Sequence, residues 1–261
     1  MKQPFRVLAV GDAVGAGAVE YLSKKLRRLR TELKADLVAV NGENASPGNG
    51  MMRADAEALL AAGADVITSG NHIWQKKEML SYLDENPLVL RPANYPPACP
   101  GQGEVIVEAG GLRVLCMNVM GTVFLDPLDC PFRTVDRILE RNRGRYDLSL
   151  LDFHAEATSE KRAMGFYLDG RVNLVWGTHT HVQTNDAQIL PGGTGYITDL
   201  GMTGPRDSVL GMKKEIIVER FLTRLPARFE QGTGETELNG AYFEVDRDSG
   251  RTLRAETVVL R

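Results

Sequence analysis

The chain has 261 residues with a formal net charge of −3 at pH 7, and 43% of its residues are hydrophobic and 25% charged. This composition is ordinary for a folded globular protein and lacks the basic excess that would by itself indicate nucleic-acid or membrane binding. No apolar run is long enough for a transmembrane helix, and the apolar start reaches Gly11-Asp12 too soon for a secretory signal. The three scattered cysteines favour a reducing compartment, so we expect a cytoplasmic protein with no membrane contact.

Short apolar runs alternate along the chain with segments of helical character. The runs, which predict strands buried on both faces, cover residues 5–12, 36–44, 65–72, 147–154 and 173–181. The helical segments cover residues 16–34, 52–62, 74–85, 131–143 and 158–170. This alternation is typical of an α/β fold.

Two other segments predict β-hairpins, one across residues 104–121 around a Gly-Gly turn and one at the end of the chain around residues 248–250. We therefore expect a mixed sheet, or two packed sheets, with helices outside. No linker or low-complexity segment interrupts the chain, so the prediction is one domain over residues 1–261.

Polar side chains that can bind metals or move protons close these strand runs. Ligands bind at the carboxyl ends of strands in open α/β sheets, and all four histidines of the chain lie at such ends. The full set is Asp12, Glu43, Asn44, Asn71, His72, His154, His179 and His181. A lone histidine after a strand would be unremarkable, but four equivalent placements beside two carboxylates indicate a shared site.

The donor types in this set suit iron, manganese or zinc, whereas calcium prefers oxygen ligands almost alone. A single tetrahedral ion takes at most four protein ligands. The set of residues given above, without His72, exceeds that number and therefore predicts two ions that share a bridging carboxylate. Two such ions form a clamp for phosphoryl transfer. On an extended chain, His179 and His181 turn toward the same side, so each can serve a different ion.

His72 follows Asn71 directly, so both side chains are not expected to bind the same ion. A histidine beside the ions is a natural proton donor to a departing alkoxide. The alternative is that His72 orients a ligand through a hydrogen bond.

Five motifs occur in a fixed order, namely GDAVG (11–15), NGEN (41–44), SGNH (69–72), DFH (152–154) and GTHTH (177–181). In this order they resemble the calcineurin-like metallophosphoesterase superfamily over residues 5 to 205. Two departures stand out, since the superfamily has a histidine where Val14 stands and a bridging aspartate where Glu43 stands. With RPANYP (91–96) and ITDLGMTGP (197–205), these departures resemble a bacterial branch of 2′,3′-cyclic-nucleotide phosphodiesterases.

The resemblance implies a four-layer α/β/β/α sandwich of two mixed sheets flanked by helices. It implies that Asp12, Glu43, Asn44 and His181 hold one metal, and that Glu43, Asn71, His154 and His179 hold the other. The metals would be divalent or mixed-valence ions, iron or manganese before zinc or magnesium. A metal-bridging hydroxide would attack the phosphorus of a small phosphodiester, and His72 would protonate the leaving oxygen. A homo-oligomer is compatible with the branch.

Two other functions remain open from the sequence. The same two-metal site could hydrolyse phosphomonoesters or phosphoproteins, because the nucleophile would be the same. The site could also bind a nucleotide, or an RNA, in a regulatory metalloprotein that turns nothing over. A histidine placed for proton transfer favours an enzyme over that regulator, and the motifs contain no clear arginine pair for a dianionic phosphate.

Overall fold

The computed structural model describes residues 3–261, so the first two residues of the predicted domain lie outside it. Thirteen strands lie in the described part of the chain: β1 Phe5–Val10, β2 Asp12–Ala13, β3 Leu37–Asn41, β4 Val66–Thr68, β5 Glu104–Ala109, β6 Leu112–Met120, β7 Leu148–His154, β8 Leu174–Thr178, β9 Gln188–Ile189, β10 Gly195–Ile197, β11 Met202–Pro205, β12 Thr236–Val245 and β13 Thr252–Leu260. The same residues contain six α-helices: α1 Gly15–Leu33, α2 Arg53–Ala62, α3 Met79–Glu85, α4 Pro131–Arg141, α5 Thr158–Leu168 and α6 Lys214–Thr223.

The strands form two mixed sheets. The first has the order β2-β11-β12-β1-β3-β4, with β13 paired to β12, and the second has the order β5-β6-β7-β8-β10-β9. Strands β1, β3 and β4 are parallel neighbours in the first sheet, as are β6, β7, β8 and β10 in the second. Within each parallel set the carboxyl ends lie at one edge, which is where ligands bind in such sheets.

Strand β1 shows how the layers are built. Its side chains alternate between the two faces of the sheet, so Phe5, Val7 and Ala9 join an apolar cluster shared with the second sheet. Leu8 and Val10 join a different cluster, formed with helices α1, α2 and α3. A third cluster joins the outer face of the second sheet to α4 and α5. The layers are therefore helix, sheet, sheet and helix, and the predicted four-layer sandwich is confirmed.

The elements differ from the sequence prediction at several places, three of which concern the site or an unpredicted helix. Helix α3 begins at Met79 rather than at residue 74, because residues 71–78 form turns. Helix α6 lies where no element was predicted. Strand β8 ends at Thr178, so His179 and His181 follow the strand instead of belonging to it. None of the helices in residues 3–261 combines the length and apolar character needed to cross a membrane.

Candidate metal centre

The predicted ligands come from both sheets and lie at the ends of their strands. In the first sheet Asp12 begins β2, just beyond β1, while Glu43 and Asn44 follow β3 and Asn71 follows β4. In the second sheet His154 is the last residue of β7, and the other two histidines follow β8. The structure brings these side chains together in two adjoining groups.

The first group surrounds the ring of His154. Its Nε2 atom lies 3.2 Å from Oε1 of Glu43, 3.1 Å from Oδ1 of Asn71 and 3.0 Å from Nδ1 of His179. Glu43, His154 and His179 each offer one ligand atom, and these three atoms all lie within 4.8 Å of one another. Imidazole nitrogens and a carboxylate at this spacing can hold a divalent transition metal.

The second group contains Asp12, Asn44 and His181. Nε2 of His181 lies 3.7 Å from Oδ1 of Asp12 and 3.3 Å from Nδ2 of Asn44. The amide of Asn44 also donates to Oε1 of Glu43 at 2.9 Å. Glu43 therefore contacts both groups, which is the position that a bridging carboxylate requires.

Unpartnered oxygens in this centre fit a cation. Oδ1 of Asp12 and Oδ1 of Asn44 are buried, and neither has a hydrogen-bond partner among residues 3–261. A buried oxygen without a partner costs free energy, and a cation would satisfy both. The two ligands also pack closely against the backbone of Gly70, because a Cβ atom there would overlap the His154 ring and the Glu43 carboxylate.

A buried hydrogen-bond chain fixes the ring of His154. Nδ1 of His154 lies 2.9 Å from Oγ1 of Thr178, and that hydroxyl donates to Oδ1 of Asp152 at 2.6 Å. Because the hydroxyl proton goes to Asp152, the Thr178 oxygen accepts from Nδ1–H of His154, which leaves Nε2 free to bind a metal. Thr68 and Asn41 also donate to the Asp152 carboxylate.

The backbone of the other two histidines is not extended. Their φ angles are positive, 97° at His179 and 62° at His181, so the expectation that extended alternation places them on one side is wrong. A left-handed turn directs their side chains instead, and each has its own partner. Nδ1 of His181 donates to the carbonyl oxygen of Leu210 at 3.1 Å, while Nε2 of His179 lies 3.1 Å from Oε2 of Glu156.

The electrostatics of the centre favour metal-binding forms for two of its groups. Burial lowers the pKa of His179 to about 3, so its imidazole is neutral at pH 7. Burial alone would raise the pKa of Glu43, but the adjacent His154 outweighs it and lowers that pKa to about 2. A neutral imidazole and an ionised carboxylate are the forms that ligate metals.

The remaining pKa shifts reflect crowded charges. Burial raises the pKa of Asp12 to about 6. For His154, burial acts to lower the pKa, but Glu43 and Asp12 outweigh it and raise the pKa to about 9. A cation that binds here must therefore displace a proton from His154.

His72 lies at the wall of a cavity of about 280 Å³ that opens onto the centre. Its backbone N–H donates to Oε2 of Glu43 at 3.2 Å, and its Nε2 atom lies 3.3 Å from Nδ2 of Asn71 and 3.5 Å from Nδ2 of Asn49. Its ring is thus beside the candidate ligands, with a ring nitrogen among amide groups. The described residues that line the cavity include no lysine or arginine.

Sequence reasoning did not single out several residues that contact the candidate ligands. Glu156 gave only a weak signal, its position two residues after His154, and its carboxylate contacts His179. Thr178 and Asp152 fall inside the GTHTH and DFH motifs, so their position was a usable signal. Leu210 gave no signal, because its contact to His181 is made by a backbone oxygen that every residue type carries.

A family model described as "YmdB-like protein" matches residues 8–258. The chain belongs to the YmdB-like protein family. It is 44% identical over 255 residues to the 2′,3′-cyclic-nucleotide 2′-phosphodiesterase of Bacillus subtilis (strain 168), a match that covers 98% of this chain and 97% of that protein.

Solved structures share the fold of the YmdB-like chain. A crystal structure of a hypothetical protein from Thermus thermophilus has a TM-score of 0.90 at 43% identity and covers 98% of this chain and 99% of that one. A crystal structure described as a novel phosphatase from Mycoplasma pneumoniae has a TM-score of 0.93 at 33% identity, with 100% and 94% covered. A Staphylococcus aureus structure provisionally named a 5′-nucleotidase has a TM-score of 0.64 at 13% identity, covering 97% of this chain and 54% of that one, and shows the fold alone.

The predicted resemblance to metallophosphoesterases is thereby confirmed, and the departure at position 14 has a structural counterpart in this YmdB-like chain. Val14 is 3% exposed, and a Cβ atom at Gly211 would meet its side chain at 2.5 Å. Position 14 is therefore packed as an apolar residue beside the cavity, and Asn44 supplies a polar group nearby.

Proposed function

We propose that this protein is a dimetal phosphodiesterase that hydrolyses small phosphodiesters such as 2′,3′-cyclic nucleotides. The observation that carries the proposal is the position of Glu43, whose carboxylate contacts both groups of candidate ligands. A phosphoric ester hydrolase is also the class named for the B. subtilis and M. pneumoniae relatives.

The proposed ligand sets follow the two groups. One cation would be held by Asp12, Glu43, Asn44 and His181, and the other by Glu43, Asn71, His154 and His179. Mixed nitrogen and oxygen donors accept iron, manganese or zinc, and suit magnesium less well. When bound, two such ions supply positive charge for the phosphate oxygens and make a water nucleophilic at neutral pH.

The protein's own residues position the substrate and move the proton. His72 borders the cavity next to Glu43, so its ring can give a proton to the leaving oxygen. A cavity of about 280 Å³ is just below the usual range for small-molecule sites, so a compact ester such as a cyclic nucleotide fits better than an extended chain.

The charge of the cavity favours diesters over monoesters. A phosphomonoester carries close to two negative charges at neutral pH and a diester carries one. The described cavity lining contains Glu43 and Glu156 but no lysine or arginine. Beyond the charge of the two ions, a dianion would therefore find no lysine or arginine there to offset its second negative charge. The predicted homo-oligomer stays a prediction.

The test of the proposed function is elemental analysis coupled to hydrolysis assays of bis-p-nitrophenyl phosphate and 2′,3′-cyclic AMP, with and without a chelator. We expect about two metal ions per chain and cleavage of both diesters that the chelator abolishes. Two ions without diester cleavage would contradict the proposal and favour a monoesterase or a nucleotide-binding regulator. Elemental analysis also identifies the metal.

The role of His72 needs its own variant. We expect His72→Ala to keep both metals and to lose about 10²–10⁴-fold in turnover of 2′,3′-cyclic AMP, the range for general acid catalysis. Bis-p-nitrophenyl phosphate should lose less, because nitrophenolate leaves without a proton. Equal losses on both substrates together with lost metal would instead make His72 part of the metal-binding set.

A further inference from the structure

A buried ion pair lies behind the turn that carries His179 and His181. Nζ of Lys161 is 2.6 Å from Oδ2 of Asp199, and both side chains are 1% exposed. Lys161 belongs to α5, whereas Asp199 follows β10. Two charges taken out of water cost free energy that their mutual attraction often fails to recover. A contribution to folding stability is therefore a weak explanation for the presence of this pair. The other hydrogen bonds of the two side chains indicate what else the pair does.

The lysine reaches Asp199 through a gap beneath β8. A Cβ atom at Gly177 would come within 2.8 Å of Cδ and 2.9 Å of Cε of Lys161. Glycine is the residue that allows such a close approach within a strand. The side chain of Lys161 thus passes the strand directly before Thr178 and His179.

The carboxylate of Asp199 also accepts hydrogen bonds from Thr180, in the turn, and from Gly201. Its Oδ2 atom accepts from Oγ1 of Thr180 at 2.7 Å and from N of Thr180 at 3.3 Å, while Oδ1 accepts from N of Gly201 at 2.8 Å. Thr180 lies between the two histidines with positive φ. Such backbone angles are strained for non-glycine residues and persist only where the surroundings hold them.

We propose that the Lys161–Asp199 pair is a positioning device that holds Thr180, and through it His179 and His181, in the geometry that binds the two cations. The inference rests on the proposed function, because it assigns the pair a role toward metals at this centre. Lys161 compensates the buried charge of Asp199, and Asp199 accepts hydrogen bonds from the side-chain hydroxyl and the backbone N–H of Thr180. The pair would act without touching metal or substrate.

The test measures binding of Mn²⁺ alone to the metal-stripped full-length protein by isothermal titration calorimetry. Thr180→Ala removes the side-chain bond to Asp199, whereas Thr180→Ser keeps a hydroxyl. We expect Thr180→Ala to weaken Mn²⁺ binding about 10-fold, the scale seen when a group that orients a metal ligand is removed. Thr180→Ser should bind Mn²⁺ within about twofold of the wild type.

A matched control separates positioning from general loss of stability. Thr194 directly precedes β10 at the end opposite Asp199 and, like Thr180, uses its hydroxyl in hydrogen bonds, here to the carbonyl oxygen of Val172 at 2.6 Å. Thr194→Ala should lower the melting temperature without changing Mn²⁺ affinity. Asp199→Asn should weaken Mn²⁺ binding, and the Thr180 variants carry the test if that variant does not fold.

The outcomes distinguish this inference from the proposed function. Two Mn²⁺ ions on the wild type with unchanged affinity in Thr180→Ala would overturn the positioning role and leave the metal centre intact. Equal weakening in Thr180→Ala and Thr194→Ala would also overturn it, because the effect would then be general. A wild type that binds no Mn²⁺ would overturn both.

Discussion

Glu43 uses both carboxylate oxygens at the point where the two ligand groups meet. Oε1 lies near His154 and accepts from Asn44, while Oε2 accepts the backbone N–H of His72. One acidic side chain therefore joins both candidate metal positions to the proposed proton donor. The space that allows this arrangement depends on Gly70, whose missing side chain lets the chain pass against Glu43 and His154.

Gly70→Ala is expected to remove metal binding while the fold remains. The added methyl group would overlap the His154 ring and the Glu43 carboxylate, and close-packed interiors accommodate such overlap only by moving neighbours. Because those neighbours are candidate ligands, we expect elemental analysis to find less than half of the wild-type metal content, whereas the circular dichroism spectrum should be unchanged. Overpacking should also cost about 1–3 kcal/mol of unfolding free energy.

Gly17→Ala is the matched control for this prediction. Gly17 lies in α1, and a Cβ atom there would meet only Oγ1 of Thr236, at 3.8 Å. Alanine is about 1 kcal/mol more favourable than glycine in a helix, so this variant should keep its metal and gain stability. Full metal content in Gly70→Ala would contradict the role assigned to Gly70.

At the residue scale, the sequence predicted the candidate ligands better than the groups that orient them. Histidine and carboxylate at strand ends are visible because their chemistry is rare there, as for His154 and Asp12. The bond of Lys161 to Asp199 was not predictable, because the two residues are 38 positions apart and either alone is ordinary on a surface. The positive φ angles of His179 and His181 were missed because non-glycine residues seldom adopt them.

Elements that bury a full face were predicted well, and α6 shows why others were not. Helix α1 buries a regular stripe along its length, ending in Leu22, Leu26 and Leu29. Helix α6 buries only Ile217 among its described residues, while Phe221 is 66% exposed. A helix whose apolar residues are not gathered on one buried face gives no clear periodic signal, which is why the sequence predicted no element there.

The same difference predicts unequal local stability. We expect amides of α6 to exchange with deuterium through local opening, at least about tenfold faster than amides in residues 22–29 of α1, because few buried contacts hold α6 in place. Hydrogen exchange followed by mass spectrometry measures both helices in one experiment. Equal protection in α6 at low protein concentration would contradict this expectation. Protection that rises with protein concentration would instead support the predicted homo-oligomer.

Across the whole molecule, the two sheets share one apolar interior and one candidate centre. Trp176 and Phe243 stack between the sheets with ring centroids 6.2 Å apart, and the candidate ligands come from both sheets. A sheet that unfolded alone would expose this interior and dismantle the centre. We therefore propose that the described residues form one domain, as the absence of a linker in the sequence predicted.

The chain's two tryptophans test this proposal, because they report on different layers. Trp176 is 1% exposed between the sheets, whereas Trp74 packs against the cluster that joins α1, α2 and α3 to the first sheet. In the single-tryptophan variants Trp74→Phe and Trp176→Phe, urea unfolding followed by fluorescence should match circular dichroism within each variant. Coincident transitions by different probes are the mark of a two-state domain.

Metal should shift these transitions together. At about 100 times its dissociation constant, each bound Mn²⁺ adds about 2.7 kcal/mol to the unfolding free energy, so the two proposed sites together add about 5.4 kcal/mol. Because both sheets supply candidate ligands, we expect the same increase at Trp74 and at Trp176, and a chelator should reverse it at both. Fluorescence and circular dichroism transitions that separate, or a metal effect confined to one tryptophan, would show that the layers unfold independently and would contradict a single domain.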